Sequence, residues 1–337
     1  MDTASKSRMF EPLLQFSAEH RVKAQAEARA LLFEKFPFGN GSDSDPLMQN
    51  VQAALSDASV AFRLSPVQRD VYYNDSGTAF VPYFIKKMLL RIKGRFVVRP
   101  GSVADLQAFV RYAATEQLSY TIRGAGTWPF GGAVPQNNDI ILDLSHLDFF
   151  HLDRDARRLV VGAGTVFADV RKFLREQGFR LKQDITNPHS GTVCGWIATG
   201  GLGLGAFKYG HVRKSVQALL VITPEGDMRM LTPEDPDFEA LFGSEGQIGI
   251  IAGAALDVLP ESYISKPYAF SFDSAEEAQK FMQLVINWGL KPTSLLYFDP
   301  HYIAITYDIE KEKHTKKLNA ALKNEDDFAI QRERHEL

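Results

Sequence analysis

The sequence predicts an α+β fold. Short strand-like and helix-like patterns alternate from Arg99 to Pro260, and glycine-rich loops separate them. Apolar residues make up 45% and charged residues 23% of 337 positions, the balance of a folded chain with ample core. That length is about 2.2 times a 150-residue domain, so one large domain or two unequal ones are expected. Lys and Arg total 38 against 41 for Asp and Glu, a net charge of -3, which argues against a chain that coats nucleic acid. The single cysteine, Cys194, excludes an intrachain disulfide and a cysteine-built zinc or iron-sulfur site, and a reducing, cytoplasmic setting is expected. Met1 to Leu14 is polar and charged, and no stretch approaches 18 uninterrupted apolar residues, so neither a signal peptide nor a transmembrane helix is predicted.

Residues 1–95 read as a helical N-terminal extension without site chemistry. Ser17 caps a predicted helix running to about Lys35, and the Gly, Ser and Asp residues between Phe38 and Pro46 break it. Tyr83 to Arg95 interleaves Phe84, Ile85, Met88, Leu89, Leu90 and Ile92 with Lys86, Lys87, Arg91, Lys93 and Arg95. That pattern suits a short helix packed on the body with a solvated basic face, with peripheral membrane contact as the alternative.

The main domain is expected over 96–260. Ser102 to Asp105 resembles a capping box, and Val103, Leu106, Phe109, Val110 and Ala113 fall on one buried helical face. Strands are predicted at Leu118 to Ile122, Ile140 to Leu144 and Leu159 to Val161. A helix follows from Val166 to Gln177, with Thr165 as its cap and Gly178 as its stop. Ser215 to Leu231 reads as a hairpin turning at Pro224 to Asp227, and Ile248 to Leu259 as a buried strand closed by Pro260. A second domain is expected over 261–337: strand Tyr268 to Phe272, capping box Ser274 to Glu277, a helix to about Trp288, then strands Leu295 to Phe298 and Tyr302 to Tyr307. The charged remainder to Leu337 makes this α/β unit short or incomplete.

Arg123 to Gly132 holds four glycines in ten positions between two predicted strands, more than a tight turn needs. Successive amides without side chains can point into one concavity and cradle a diphosphate, and Arg123 can add charge. Gly126 to Gly131 has P-loop spacing but lacks the following Lys and Ser or Thr. Pro129 stands where a Rossmann fingerprint requires glycine, and the chain proceeds to a strand rather than a helix. ATP chemistry of the P-loop kind and a standard NAD site are therefore disfavoured. The run Gly191 to Gly210 places seven glycines in twenty residues, with Val193, Trp196, Ile197, Leu202, Leu204 and Phe207 embedded, and can wind around a long, flat, partly apolar ligand. Gly243 to Gly249 offers a third close backbone approach.

Together, Arg123-Gly-Ala-Gly-Thr-x3-Gly-Gly132, Gly191-Thr-Val-Cys-Gly-Trp-Ile-Ala198, Lys208-Tyr-Gly210 and Gly246-x2-Gly-Ile-Ile251 resemble the FAD-binding domain of the vanillyl-alcohol oxidase and p-cresol methylhydroxylase (PCMH-type) superfamily, near its glycolate oxidase and D-lactate dehydrogenase branches. The resemblance implies a two-subdomain FAD-binding domain followed by a cap domain on the substrate side. It implies that Arg123, Gly124, Ala125, Gly126 and Thr127 hold the FAD diphosphate and that Gly131 and Gly132 complete the turn. Thr192, Val193, Gly195, Trp196 and Ala198 would line the diphosphate and the flavin's approach, while Gly249, Ile250 and Ile251 would meet the adenine or ribitol side. Members with covalent flavin often carry His where Thr127 stands, so non-covalent FAD is expected. Cys194 stands where the family commonly has Gly and reads as a small buried residue.

The function implied is a flavoprotein oxidoreductase that takes hydride from a CH-OH group of a small organic molecule, such as a 2-hydroxy acid, and passes electrons to oxygen, a quinone or a protein. The alternative is an FAD-binding electron-transfer subunit or truncated flavoprotein that needs a partner for activity. No catalytic base is assigned. His189 and His211 flank the second glycine run and His301 opens a predicted cap strand, and each reads first as structural or solvent-facing.

Overall fold

The computed structural model describes residues 3–19, 45–89, 92–136, 139–261 and 265–323. They fall into two compact units, Met1–Ile264 and Ser265–Leu337. In the first unit, helix α1 spans Thr3–Leu14, α2 Pro46–Ala53, α3 Pro66–Tyr72 and α4 Tyr83–Leu89. The helix expected from Ser17 to Lys35 lies largely outside the described residues. Ser65 and Gln68 form a reciprocal capping box that starts α3 immediately before Pro66.

Two sheets follow. The smaller has the order β1 (Val60–Phe62), β2 (Gly94–Arg99), β4 (Asp139–Asp143), β3 (Tyr120–Arg123). The β2/β4 and β3/β4 pairs are parallel, and the register sets Arg123 opposite Asp143. Helix α5, Val103–Thr115, connects β2 to β3. Ser102 accepts from the Asp105 amide at its start, and the five apolar residues expected on its inner face are all buried.

The larger sheet is antiparallel, with order β5 (Phe150–Asp153), β6 (Arg158–Gly162), β10 (Ile250–Pro260), β8 (Val216–Ile222), β9 (Met228–Leu231). Strand β7, Phe179–Leu181, pairs with the far end of β10. The expected hairpin and the buried strand after it are thus β8/β9 and β10. Alternate residues of β6 and β8 feed two cores: Val160, Leu220 and Ile222 join α1, α5 and the small sheet, while Leu159, Val161, Leu219 and Val221 join the later helices. Burial on both faces explains why these strands read as continuous apolar runs.

Gly253 of β10 faces Gly162 of β6 in the ladder. A Cβ on Gly253 would stand 2.3 Å from a Leu13 methyl, so the bare backbone there is what lets α1 lie against the sheet.

Helix α6 spans Phe167–Glu176, and its cap differs from the expectation. Thr165 is buried and bonds both the amide and the carbonyl of Phe149, so it is not free to cap. The first amides of α6, on Phe167 and Ala168, donate instead to the carbonyls of Gly191 and Pro188, fastening the second glycine run. Helices α7, Val193–Ala198, and α8, Ala206–Tyr209, lie within that run.

The second unit corrects an expectation. Its described residues form α9, Ala275–Asn287, and α10, Pro300–Lys323, and no strand. Ser274 caps α9 as predicted. The alternation over Tyr302 to Tyr307 suggests a strand, but Asp299-Pro300 starts a helix: Asp299 accepts from Tyr302 N through its side chain and from Ile303 N through its carbonyl. Leu295 to Phe298 and Tyr268 to Phe272 are irregular. Among the described residues, no helix is long and apolar enough to cross a membrane.

Candidate functional site

The three glycine loops converge on one cavity of about 620 Å³ within the first unit, inside the range of about 300–1,000 Å³ usual for ligand sites. The first loop contributes Gly124, Ala125, Gly126, Thr127 and Gly132, and the second run Thr192, Cys194, Gly195, Trp196, Ala198 and Thr199. Gly246, Gly249, Ile250 and Ile251 come from the third loop and the start of β10. Glu245 joins all three. Its side chain accepts from the Trp128 indole at 3.1 Å, and its amide donates to the Ala198 carbonyl at 2.9 Å.

The second run is shaped from within. Thr192 caps α7 by accepting from Gly195 N, Val193, Cys194 and Ile197 pack into the core, and Trp196 meets Phe167 edge-on. Asp184 and Leu204 exchange both backbone hydrogen bonds. The Cys194 thiol is buried against the Gly162 carbonyl, and burial pushes its pKa up to about 12, so it is an inert packing residue rather than a nucleophile.

The first loop is shaped from outside, by residues of the N-terminal extension. Ser76 N donates to the Gly126 carbonyl at 3.1 Å, and Ser76 Oγ donates to the Thr127 carbonyl at 2.7 Å. Asp75 Oδ2 accepts from Gly131 N at 2.6 Å, while Oδ1 accepts from Gly77 N and Thr78 N. Burial alone would raise the Asp75 pKa, but hydrogen bonds from Thr78, Gly131 and Gly77 outweigh it and hold the carboxyl below its ordinary value. Ser76 itself lines the cavity. The expectation that residues 1–95 carry no site chemistry is therefore corrected, because the 71–78 segment is the frame of the first glycine loop.

Arg123, Gly131 and Val193 do not line the cavity. The Arg123 guanidinium is buried under the loop, where it donates to the carbonyls of Val71, Asn74 and Ala133 and lies 5.5 Å from the Tyr72 ring centroid. Burial lowers its pKa. A Cβ on Gly126 would strike that guanidinium at 2.3 Å, so the charge lies below the loop rather than on its ligand side. Gly131 gives its amide to Asp75, and the Val193 side chain is fully enclosed in the core. Beneath, Asp143 accepts from Tyr72 and Arg99, pinning α3 to the small sheet. Burial opposes ionisation of Asp143, yet the Arg99 charge and these hydrogen bonds keep its pKa low.

His189 is exposed beside the cavity without lining it. His211 accepts from Arg213 N and packs edge-on to Phe242, and burial lowers its pKa. His301 lies in α10 and is exposed.

The cavity fits a flavin dinucleotide. A Cβ on Gly124 would stand 2.8 Å from Thr192 Oγ1 and fill the groove between the first two loops. Groove walls of backbone and hydroxyl suit a diphosphate, and Ile122, Leu144, Ile185, Trp196 and Ile250 supply apolar surface for a ring system.

Fold and site together define an α+β unit whose three glycine loops enclose one cavity of dinucleotide size. Residues 95–232 match the FAD binding domain family model. Among curated proteins, D-2-hydroxyglutarate dehydrogenase of Xanthomonas citri pv. viticola is 34% identical over 52% of this chain and 40% of its own. D-lactate dehydrogenase of Archaeoglobus fulgidus is 28% identical over 67% of this chain and 52% of its own. Among solved structures, an alkyldihydroxyacetonephosphate synthase superposes with a TM-score of 0.65 at 21% identity, over 74% of this chain and 51% of that one, which shows the fold. The chain spans about half the length of the curated relatives it matches.

Proposed function

We propose that the chain binds FAD non-covalently in this cavity and serves the oxidation of a CH-OH group in a small 2-hydroxy acid, of the kind named by its relatives D-2-hydroxyglutarate and D-lactate dehydrogenase. The observation that carries this reading is the convergence of three glycine loops on one cavity inside a matched FAD-binding domain. When bound, FAD supplies a two-electron acceptor for hydride from a carbon bearing a hydroxyl.

The chain's own part is to bind and orient. Gly124 to Thr127 and Gly132 hold the diphosphate between backbone and the Thr192 hydroxyl. Thr192, Gly195, Trp196 and Ala198 flank the ring system, and Gly249, Ile250 and Ile251 close the opposite wall. Non-covalent attachment is supported by Thr127 at the loop and by the high pKa of Cys194, the one thiol in the wall. Residues 96–260 act as the cofactor domain with the 71–78 segment as its brace, and 261–337 belong to a substrate domain. Electrons leave to a small acceptor, a quinone or a protein, and the buried lone cysteine suits a cytoplasmic setting.

The purified chain should be yellow, and acid precipitation should release the colour to the supernatant. Adding D-lactate or D-2-hydroxyglutarate without oxygen should bleach the visible flavin band. Colour in the pellet refutes non-covalent binding. A chain that remains colourless after incubation with FAD refutes the whole reading.

A further inference from the structure

Seven large apolar side chains of the first unit are more than half exposed among the described residues, and six share one region: Val67, Val71, Phe80, Phe84, Met88 and Phe130. Val67 and Val71 are one turn apart on α3, Phe84 and Met88 one turn apart on α4, so each helix presents an apolar ridge. Phe80, 89% exposed, ends the single turn between them. Phe130 meets Trp128 at 5.0 Å on the rim of the cavity.

These pieces are tied together. Lys86 Nζ donates to the Asn74 side chain at 2.6 Å, Arg123 reaches the Asn74 and Val71 carbonyls, and Gly77 abuts Pro129 so closely that a Cβ there would stand 2.1 Å from its carbonyl oxygen. The ridges of α3 and α4 and the aromatic rim thus belong to one connected neighbourhood, beside the cavity mouth.

The charge of this region departs from the rest of the chain. Pro66 to Arg95 holds six cations, Arg69, Lys86, Lys87, Arg91, Lys93 and Arg95, against two carboxylates, Asp70 and Asp75, in a protein of net charge -3. Asp75 is buried and consumed by the loop, and Arg95 is paired with Asp45; among the side chains described there, Arg69, Lys86 and Lys93 remain against the exposed carboxylate of Asp70. Exposed Phe and Met beside Lys and Arg make a surface whose complement is apolar within and anionic at its boundary.

We propose that this face docks peripherally on an anionic lipid surface, with Phe80, Phe84 and Met88 entering the headgroup boundary and the neighbouring cations meeting lipid phosphates. Each cation near such a surface strengthens binding about fivefold and is screened by salt. The docked face sets the rim at Trp128 and Phe130 against the lipid, so small molecules enter the cavity from the membrane boundary. The proposal stands apart from the redox reading, since it is read from binding and needs no flavin chemistry.

The test is sedimentation of the purified full chain with vesicles of phosphatidylcholine alone or mixed with phosphatidylglycerol. Binding is expected only to the mixed vesicles, and it should fall steeply between low and high salt. Phe84→Ser with Met88→Ser should weaken it at least tenfold, whereas Met228→Ser, an exposed apolar change elsewhere, should leave it intact. A second readout uses Met88→Cys labelled with an environment-sensitive dye, Cys194 being inert, whose emission should shift to the blue on mixed vesicles. Equal sedimentation with both vesicle types, or undiminished binding by the double variant, overturns the proposal. Absence of binding to any vesicle overturns it too.

Discussion

The first glycine loop and the second glycine run reach the same cavity with similar glycine density, but their order comes from different places. Gly191 to Leu204 is organised locally. A six-residue helix buries Val193, Cys194 and Ile197, Thr192 caps it, and α6 donates two amides into the segment just before it. Arg123 to Gly132 contains no such element and takes its shape from Asp75, Ser76 and the Arg123 contacts to residues about fifty positions earlier. A self-supporting loop fails when its core fails, whereas a braced loop fails when its distant brace is cut, with the fold left largely standing.

Substitutions can break that contrast. Ile197→Ala has the largest expected effect: a fully buried side chain is truncated, costing about 2–5 kcal/mol. Thermal stability and FAD affinity should fall together, and a melt combined with a flavin fluorescence titration checks it. Asp75→Ala removes the acceptor of three part-buried amides, and because water reaches these donors the cost is about 1–3 kcal/mol in all. Here FAD affinity should fall at least tenfold, with a smaller drop in melting temperature than for Ile197→Ala. If melting temperature alone moves, Asp75 is a folding residue and not a loop brace. Ser76→Ala removes the hydrogen bond to the Thr127 carbonyl and, at about 1 kcal/mol, should weaken FAD about fivefold with stability nearly unchanged.

Acid sharpens the comparison further. Because the Asp75 pKa is depressed in the fold, its stabilisation is complete above the unfolded value of about 3.9 and is lost as pH falls through the folded value. Denaturation curves of the wild type and Asp75→Asn should therefore differ at neutral pH and converge in acid below about pH 4. The smallest expected effect concerns Cys194, which should resist alkylation at pH 8 in the native protein and react only on unfolding, as mass spectrometry would show.

Much of the first unit was legible because its signals are local. The face of α5, the β8/β9 hairpin, the β10 run and the stop at Gly178 each rest on neighbouring residues whose period or turn chemistry is self-contained. Gly124 and Gly249 were likewise readable, since glycine reports a backbone position directly. Roles set by distant contacts were not legible. Nothing near Arg123 in sequence tells that its charge is spent on the carbonyls of Val71 and Asn74, and the turn residues Asn74 to Gly77 announce a turn without saying what it holds. The misread at Tyr302 is of another kind: an alternating apolar pattern outweighed Asp299-Pro300, a local start signal present in the sequence throughout.

The bare glycine pair at 162 and 253 gives α1 a status its position at the start of the chain does not suggest. Phe10 and Leu13 occupy space that the sheet itself leaves vacant, so the helix is an internal wall of the core. The molecule is in that respect a receptor and its own peptide. A chain deprived of α1 should be complemented in trans by a synthetic peptide covering residues 3–19, and Leu13→Ala in the peptide should abolish the rescue.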